Sequence, residues 1–232
     1  MKGETLEAVL TARAADLAVV LATDLSTGQE SLIRPLDDGH AGTENGALLA
    51  AASRALAADR SGIWETETER VFLHVYNTPV RVVIVGAVHI AQPLSVMGKE
   101  AGFDVVVVDP RTAFATDERF PGVRLERSWP DEALAELGLD HRTAVVTVTH
   151  DRKLDDPALQ AALRSPAFYI GALGSRRTHA KRVARLEGAG FDATDVARLH
   201  APVGLDIGAR TPGEIASSVL AEIVKVLRAP AE

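Results

Sequence analysis

The chain has no cysteine among its 232 residues. Disulfides, thiolate nucleophiles and cysteine-based zinc sites are thereby excluded. It also has no run approaching the roughly 18 uninterrupted apolar residues that a transmembrane helix needs. Nor does it have an excess of positive charge. The formal net charge of −7 argues against general nucleic-acid binding, which depends on broad neutralisation of phosphates. A local basic run can still serve one anionic ligand. The first residues, Met1-Lys2-Gly3-Glu4-Thr5, carry an acid early and lead into no long apolar core, so a secretory leader is not expected and the cytoplasm is the expected location.

What is present reads as a soluble globular chain, with 47% hydrophobic and 25% charged residues, both ordinary values. The length leaves room for one large domain, or for one of about 150 residues with a smaller partner. The first 78 residues carry mixed signals. Leu17 to Ala22 reads as a strand with Ser31 to Arg34 as a pairing partner, and Leu48 to Ala58 reads as an alanine-driven helix. Trp64 to Tyr76 reads as extended, with Val71, Leu73 and Val75 on one face and Phe72 and His74 on the other. Pro35 to Gly46 is a loop by its turn residues. Asn77-Thr78-Pro79 punctuates the chain, which places a small N-terminal α+β domain at 1–78 and a second domain at 79–232.

After Pro79 the pattern changes. Val82 to Val85, Val105 to Val108, Ala144 to Val148 and Ala167 to Ile170 are short apolar runs without polar alternation. Such runs belong to strands buried on both faces, the condition of a parallel sheet. Helical stretches alternate with them, with Gly102 and Gly188 placed as left-handed caps. The expectation is an α/β domain with a Rossmann-type, doubly wound parallel sheet. A short helix is expected around Ala193 to Leu199. The last helix is signalled by an N-cap threonine, Thr211, with Pro212 at its first position and Glu214 at its third. Ile215, Ala216, Val219, Leu220, Ile223, Val224 and Leu227 then form its apolar stripe.

Ligands of open parallel sheets bind beyond the carboxyl ends of the strands, and four segments there carry suggestive residues. Gly86-Ala87-Val88-His89-Ile90-Ala91 follows a strand and opens a helix, as a dinucleotide fingerprint would, but Val88 stands where the second glycine should be. Asp109, 23 residues after Gly86, can accept from ribose hydroxyls, while Arg111 favours a phosphate; a plain tight turn with no dinucleotide accounts for the segment equally well. His150 with Asp151 reads either as an acid/base or ligand contact with a tautomer-fixing partner, or as a surface histidine beside a helix cap. Gly171, Gly174 and Ser175 gather backbone N–H groups at a helix start, an anion site reinforced by Arg176 and Arg177. Lys181, Arg182 and Arg185 continue as a solvated basic face. Gly204 and Asp206 lie in a tight loop, where Asp206 serves either a ligand or its own backbone.

Taken together, Gly171-x-x-Gly174-Ser175-Arg176-Arg177, Leu199-His200-x-Pro202-Val203-Gly204-Leu205-Asp206-Ile207-Gly208-Ala209 and Thr211-Pro212-x-Glu214-Ile215-Ala216 resemble the XdhC/CoxI family. Val108-Asp109-Pro110-Arg111, Arg119-Phe120-Pro121 and Thr149-His150-Asp151 match the same family, and the resemblance spans about Arg81 to Arg228. It implies an accessory factor for xanthine dehydrogenase or carbon monoxide dehydrogenase, a chaperone rather than an ordinary enzyme. Such a factor binds the molybdenum cofactor (molybdopterin), assists its sulfuration and delivers it to the apo-enzyme. Two features depart from the family: Val88 replaces the second glycine, and the serine-glycine-glycine-cysteine segment is absent. Sulfur would then have to come from a partner cysteine desulfurase. A homodimer is left open. The competing reading is an NAD(P)-dependent oxidoreductase, with Val88 set against it, or a nucleotide-sensing module.

Overall fold

β-Branched runs with apolar residues at every position need cover on both sides. In the computed structural model, which describes residues 2–34 and 46–229, they receive it. The chain divides into two compact units, one reaching to Thr78 and one spanning Pro79–Ala229.

The first unit runs α1 (Gly3–Ala14), β1 (Val19–Asp24), β2 (Glu30–Ile33), α2 (Gly46–Ala57), β3 (Gly62–Glu65) and β4 (Arg70–Tyr76). Its sheet has the order β2-β1-β4-β3, and every neighbouring pair is antiparallel. In the β1–β4 register Val20 faces Val75 and Ala22 faces Leu73. The period of two therefore puts Val20, Ala22, Val71 and Leu73 on one face, where Ala51, Ala52 and Leu56 of α2 cover them. His74 points the other way and is exposed. Of the loop expected from Pro35 to Gly46, residues 35–45 lie outside the described residues, and Gly46 opens α2. Helix α1 carried no sequence signal, and only Val9 and Ala12 of it are buried.

The second unit runs β5 (Arg81–Val85), α3 (Ala91–Glu100), β6 (Asp104–Val108), β7 (Arg124–Glu126), α4 (Pro130–Leu137), β8 (Thr143–Thr147), α5 (Arg152–Leu163), β9 (Tyr169–Ala172), α6 (Arg176–Gly188), α7 (Ala193–Ala197), β10 (Leu199–His200) and α8 (Pro212–Leu227). Its six strands are ordered β10-β9-β8-β5-β6-β7, all parallel. This is the doubly wound order, with the direction of winding reversing between β5 and β8. Alternate strand residues divide between two cores. Val82, Ile84, Val105, Val107, Ala144 and Val146 pack against α3 and α8. Val83, Val85, Val106, Val108 and Val145 pack against α4, α5 and α6. Each fully buried valine or isoleucine contributes on the order of 1.5–3 kcal/mol, so both faces of the sheet stabilise the fold.

The local signals hold at the last helix. Thr211 Oγ1 accepts from Glu214 N at 3.3 Å and the Glu214 carboxylate accepts from Thr211 N at 2.9 Å, the reciprocal capping box. Ala216, Val219 and Ile223 are buried, whereas Val224 is exposed. Elsewhere the structure corrects the reading. Gly188 ends inside α6, and the positive-φ glycine beyond that helix is Gly190. Leu199 is not helical but pairs with Ile170 as β10. Strands β7 and β10 were missed, because two- or three-residue edge strands are too short to show a period. Among the described residues no helix is long and apolar enough to cross a membrane.

Candidate functional site

Because all six strands are parallel, the loops after β5, β6, β8, β9 and β10 leave the sheet at one edge, and those after β5 and β8 stand side by side at the switch point. Every segment singled out in the sequence follows one of these strands. The edge nevertheless divides into two differently built halves.

The first half is closed on itself. Gly86 has φ +113°, and a β-carbon there would overlap Thr149 Cγ2, so the turn after β5 needs glycine for both conformation and space. That turn aims Ala87 N–H at Asp109 Oδ2, 2.8 Å away. Asp109 is fully buried. Its Oδ1 also accepts from Arg111 N at 3.0 Å and Nε at 2.8 Å, and its Oδ2 from Arg111 Nη2 at 2.7 Å. Four donors fill the roughly four lone-pair sites of a carboxylate. Burial pushes the Asp109 carboxyl up, but the hydrogen bonds from Arg111 and Ala87 outweigh it and hold the group below 3.8. Asp109 therefore ties β6 to the turn after β5, and no acceptor capacity remains for the ribose hydroxyls expected of it. Arg111 lies over the Phe114 ring at 4.6 Å. Arg119 seals the same loop, donating to the carbonyls of Ala87 and Phe114 at 2.8 and 2.7 Å. His89 is exposed beside it, and Val88 is partly buried against the core shared by α3 and α8.

The second half lies across the switch point and is open. Thr149 Oγ1 donates to Asp155 Oδ1 at 2.6 Å and accepts from Asp151 N at 2.9 Å. His150 sits at φ +100°, a strained backbone for a non-glycine residue, and its N–H reaches Asp155 Oδ2 at 3.2 Å. Its ring is exposed. Asp151 is the N-cap of α5, accepting from Lys153 N at 2.9 Å, so it serves the helix and not the histidine tautomer.

Ser175 caps α6 as expected, accepting from Thr178 N at 3.2 Å, with Arg176 and Arg177 exposed on the first turn. Gly174 has φ +141°. Gly171 and Gly204 have packing reasons: a β-carbon at Gly171 would stand 2.6 Å from Val203 Cγ2, and one at Gly204 would strike Ser218 on α8. The loop of Gly204 is tied down by Glu222, which accepts from Gly204 N at 2.8 Å and from the Tyr169 hydroxyl at 2.5 Å. Burial, then the carboxylate of Glu222, push that tyrosine far above its usual range. Asp206 is exposed, and its carboxylate has no hydrogen-bond partner among the described residues, so it does not satisfy its own backbone.

The largest departure from expectation is on α6. Its basic run was expected to face solvent, yet Arg182 is only 2% exposed, and Arg185 is held by a double hydrogen bond to Asp156, 2.7 Å at each contact. Only Lys181 of the three is exposed as expected. Arg182 Nη2 donates to Leu173 O at 2.8 Å. Spacing held the clue, since Arg182 precedes the buried Leu186 by one turn and shares its face. Asp155 was missed for a similar reason, as an acid in the first turn of α5 reads as dipole compensation. It is 3% exposed. Burial raises its carboxyl, against the Thr149 hydroxyl bond and the positive charge of Arg182.

A family model described as the XdhC Rossmann domain matches residues 82–223, more than half of the chain. The chain belongs to the XdhC Rossmann-domain family. Every site residue read from the sequence, Gly86 to Asp206, falls inside the span that this family model covers, as do Arg119, Asp155 and Arg182. Among relatives, a Bacillus subtilis protein named as a probable xanthine dehydrogenase subunit is 32% identical over 160 residues, 68% of this chain and 46% of that one. A molybdenum cofactor insertion chaperone of Escherichia coli, PaoD, is 41% identical over 98 residues, 42% of this chain and 30% of that one. A crystal structure of a xanthine dehydrogenase from Bacillus halodurans superposes with a TM-score of 0.73 at 26% identity, covering 97% of this chain and 64% of that one. The matched stretches span less than half the length of the curated relatives.

Proposed function

We propose that this chain is an accessory protein that binds the molybdenum cofactor at the carboxyl edge of its parallel sheet and assists its insertion into a xanthine dehydrogenase or carbon monoxide dehydrogenase type apo-enzyme. The observation that carries this reading is the XdhC family match, which takes in the loops after all six strands of that edge. The similarity to a chain named as a molybdenum cofactor insertion chaperone supports it.

The residues present suit one end of such a cofactor. Molybdopterin ends in a phosphate, and the open half of the edge offers a capped helix start at Ser175, the exposed Arg176 and Arg177, and the buried Arg182. Among the described residues no group of three or more histidines and carboxylates is placed to hold a metal ion, and the sequence offers no thiolate. In this reading the protein grips the organic part of the cofactor and leaves the metal to the cofactor's own dithiolene sulfurs. When bound, the cofactor supplies the redox chemistry of the acceptor enzyme. The chain itself holds, orients and shields it. With no cysteine to relay sulfur, sulfuration falls to a partner desulfurase. A nicotinamide dinucleotide is the weaker fit, because the acid that would take its ribose is already saturated by Ala87 and Arg111.

The test is retention. The purified chain is mixed with molybdopterin released from a donor enzyme and passed over a desalting column, and pterin fluorescence after oxidation is read in the protein fraction. Stoichiometric pterin supports the proposal. Pterin eluting wholly with the small molecules, alongside micromolar or tighter binding of NAD(H) or NADP(H) by calorimetry, overturns it.

A further inference from the structure

Arg182 is the least satisfied charged group in the second unit. Its guanidinium carries five N–H donors, and it is only 2% exposed. One nitrogen, Nη2, reaches a partner, the Leu173 carbonyl at 2.8 Å. Nε and Nη1 have no hydrogen-bond partner among the described residues. Asp155 is close enough for its charge to be felt but accepts from Thr149 and His150 instead. A buried charge left short of acceptors is costly, and such groups persist where something else completes them.

What lies over Arg182 is a cleft of about 310 Å³ between the start of α5 and α6, lined by His150, Arg152, Asp155, Arg177, Lys181 and Arg182, among others. Its lining is strongly one-sided in sign. Arg185, also on the wall, is neutralised by Asp156, whereas Arg177 and Lys181 are exposed and make no ion pair among the described residues. The single acid on the wall, Asp155, is buried and turned into the loop after β8. A concave site with low-dielectric walls and cations of one sign focuses its field on an anion. The planar fork of an arginine suits two oxygens of a tetrahedral oxyanion, and among the described residues one hydrogen bond holds this fork in place.

We propose that this cleft is a phosphomonoester site, with Arg182 as its anchor beneath the surface and Arg177 and Lys181 at its mouth. It names the part of the cofactor that the chain grips, and it rests on the proposed function only for the identity of the molecule bearing the phosphate.

The experiment uses inorganic phosphate and the full chain. Phosphate is titrated into the protein while the 31P line width and the melting temperature are followed, with chloride at matched ionic strength as the control. The expectation is a saturable, phosphate-specific rise in melting temperature and broadening of the 31P line. Lys181→Ala and Arg177→Ala, both exposed positions, should each weaken phosphate binding about five- to tenfold with unchanged melting in chloride. Arg182→Met should abolish the response, and Arg182→Lys should keep the charge but weaken binding at least tenfold, because the fork is lost. A parent chain that responds to phosphate no more than to chloride overturns the site, as does a parent-like response in both Lys181→Ala and Arg177→Ala. If phosphate binding is lost in the variants while molybdopterin retention is unchanged, the cofactor does not use this cleft. If phosphate binds as described but molybdopterin is never retained, the cleft stands and the cofactor reading falls.

Discussion

Two acid–arginine pairs flank the switch point of the parallel sheet, and they are built on opposite principles. Asp109 and Arg111 are saturated: four donors reach one buried carboxylate, and the guanidinium lies over the Phe114 ring. Asp155 and Arg182 are both buried but spend their hydrogen bonds on other groups, and two nitrogens of Arg182 have no hydrogen-bond partner among the described residues. The first arrangement fixes a turn. The second keeps donor capacity in reserve beside an open cleft. The contrast teaches that a carboxylate at the place of a ribose-binding acid can be saturated by its own fold, while a helix-face arginine across the switch point keeps unspent donors.

Substitutions can break the comparison from either side. The largest effect is expected from Gly86→Ala, which forces a side chain into a positive-φ backbone, at about 1–3 kcal/mol, and drives it into Thr149, at about 1–3 kcal/mol more. Urea denaturation should show both losses. Adding Thr149→Ser removes the obstructing methyl and should recover only the overlap part, and full recovery would mean the backbone is not strained.

Asp109→Ala should cost about 1–3 kcal/mol, because the buried Ala87 N–H loses its acceptor. Its pH dependence has a definite sign. The folded carboxyl sits below its ordinary value of 3.8, so its stabilising contribution is present in full above that value and lost as pH falls through the lower folded one. Acid unfolding of the parent should therefore contain a component in this window that is absent from the variant. Identical acid limbs would show that Arg111 and Ala87 do not hold the charged form.

Arg182→Met should act with the opposite slope. Burial already raises Asp155, and the charge of Arg182 opposes that rise, so its removal should lift the carboxyl further. A group raised in the folded state favours folding at low pH and loses that advantage as pH rises through its folded value. The variant should therefore lose stability relative to the parent on going from acid toward neutral pH. A side-chain carboxyl titration of Asp155 by NMR reads this directly, and an unmoved midpoint would uncouple the pair. The smallest effect is expected from Asp206→Ala. As an exposed acid without a hydrogen-bond partner among the described residues, it should change stability by less than about 0.5 kcal/mol, while cofactor retention drops if the loop after β10 touches the ligand. A large fall in melting temperature would instead make Asp206 structural.

Much of this was legible along the chain. The apolar runs after Pro79 announced buried parallel strands, because burial on both faces leaves no room for polar alternation. Thr211, Pro212 and Glu214 announced the start of α8, since a capping box is a local object of a few residues. The positions beyond the carboxyl ends of the strands were legible as well. Less visible were β7 and β10, whose pairing comes entirely from neighbouring strands.

The sequence by itself determined the four central strands of the parallel sheet and the start of α8, and therefore that Gly86, Asp109, His150 and Ser175 would lie along one edge of a sheet. Those are consequences of period and local capping. The cap at Ser175 was local, but what the others do there was decided by the tertiary structure. Asp109 became saturated only because the turn at Gly86 brings Ala87 N–H to it, and Asp151 became a cap only because α5 begins beside it. Arg182 became the buried, unsatisfied charge only because α6 turns that face onto the sheet. Hydrogen-bond satisfaction and desolvation depend on what surrounds a group in space, and one-dimensional spacing does not carry that information.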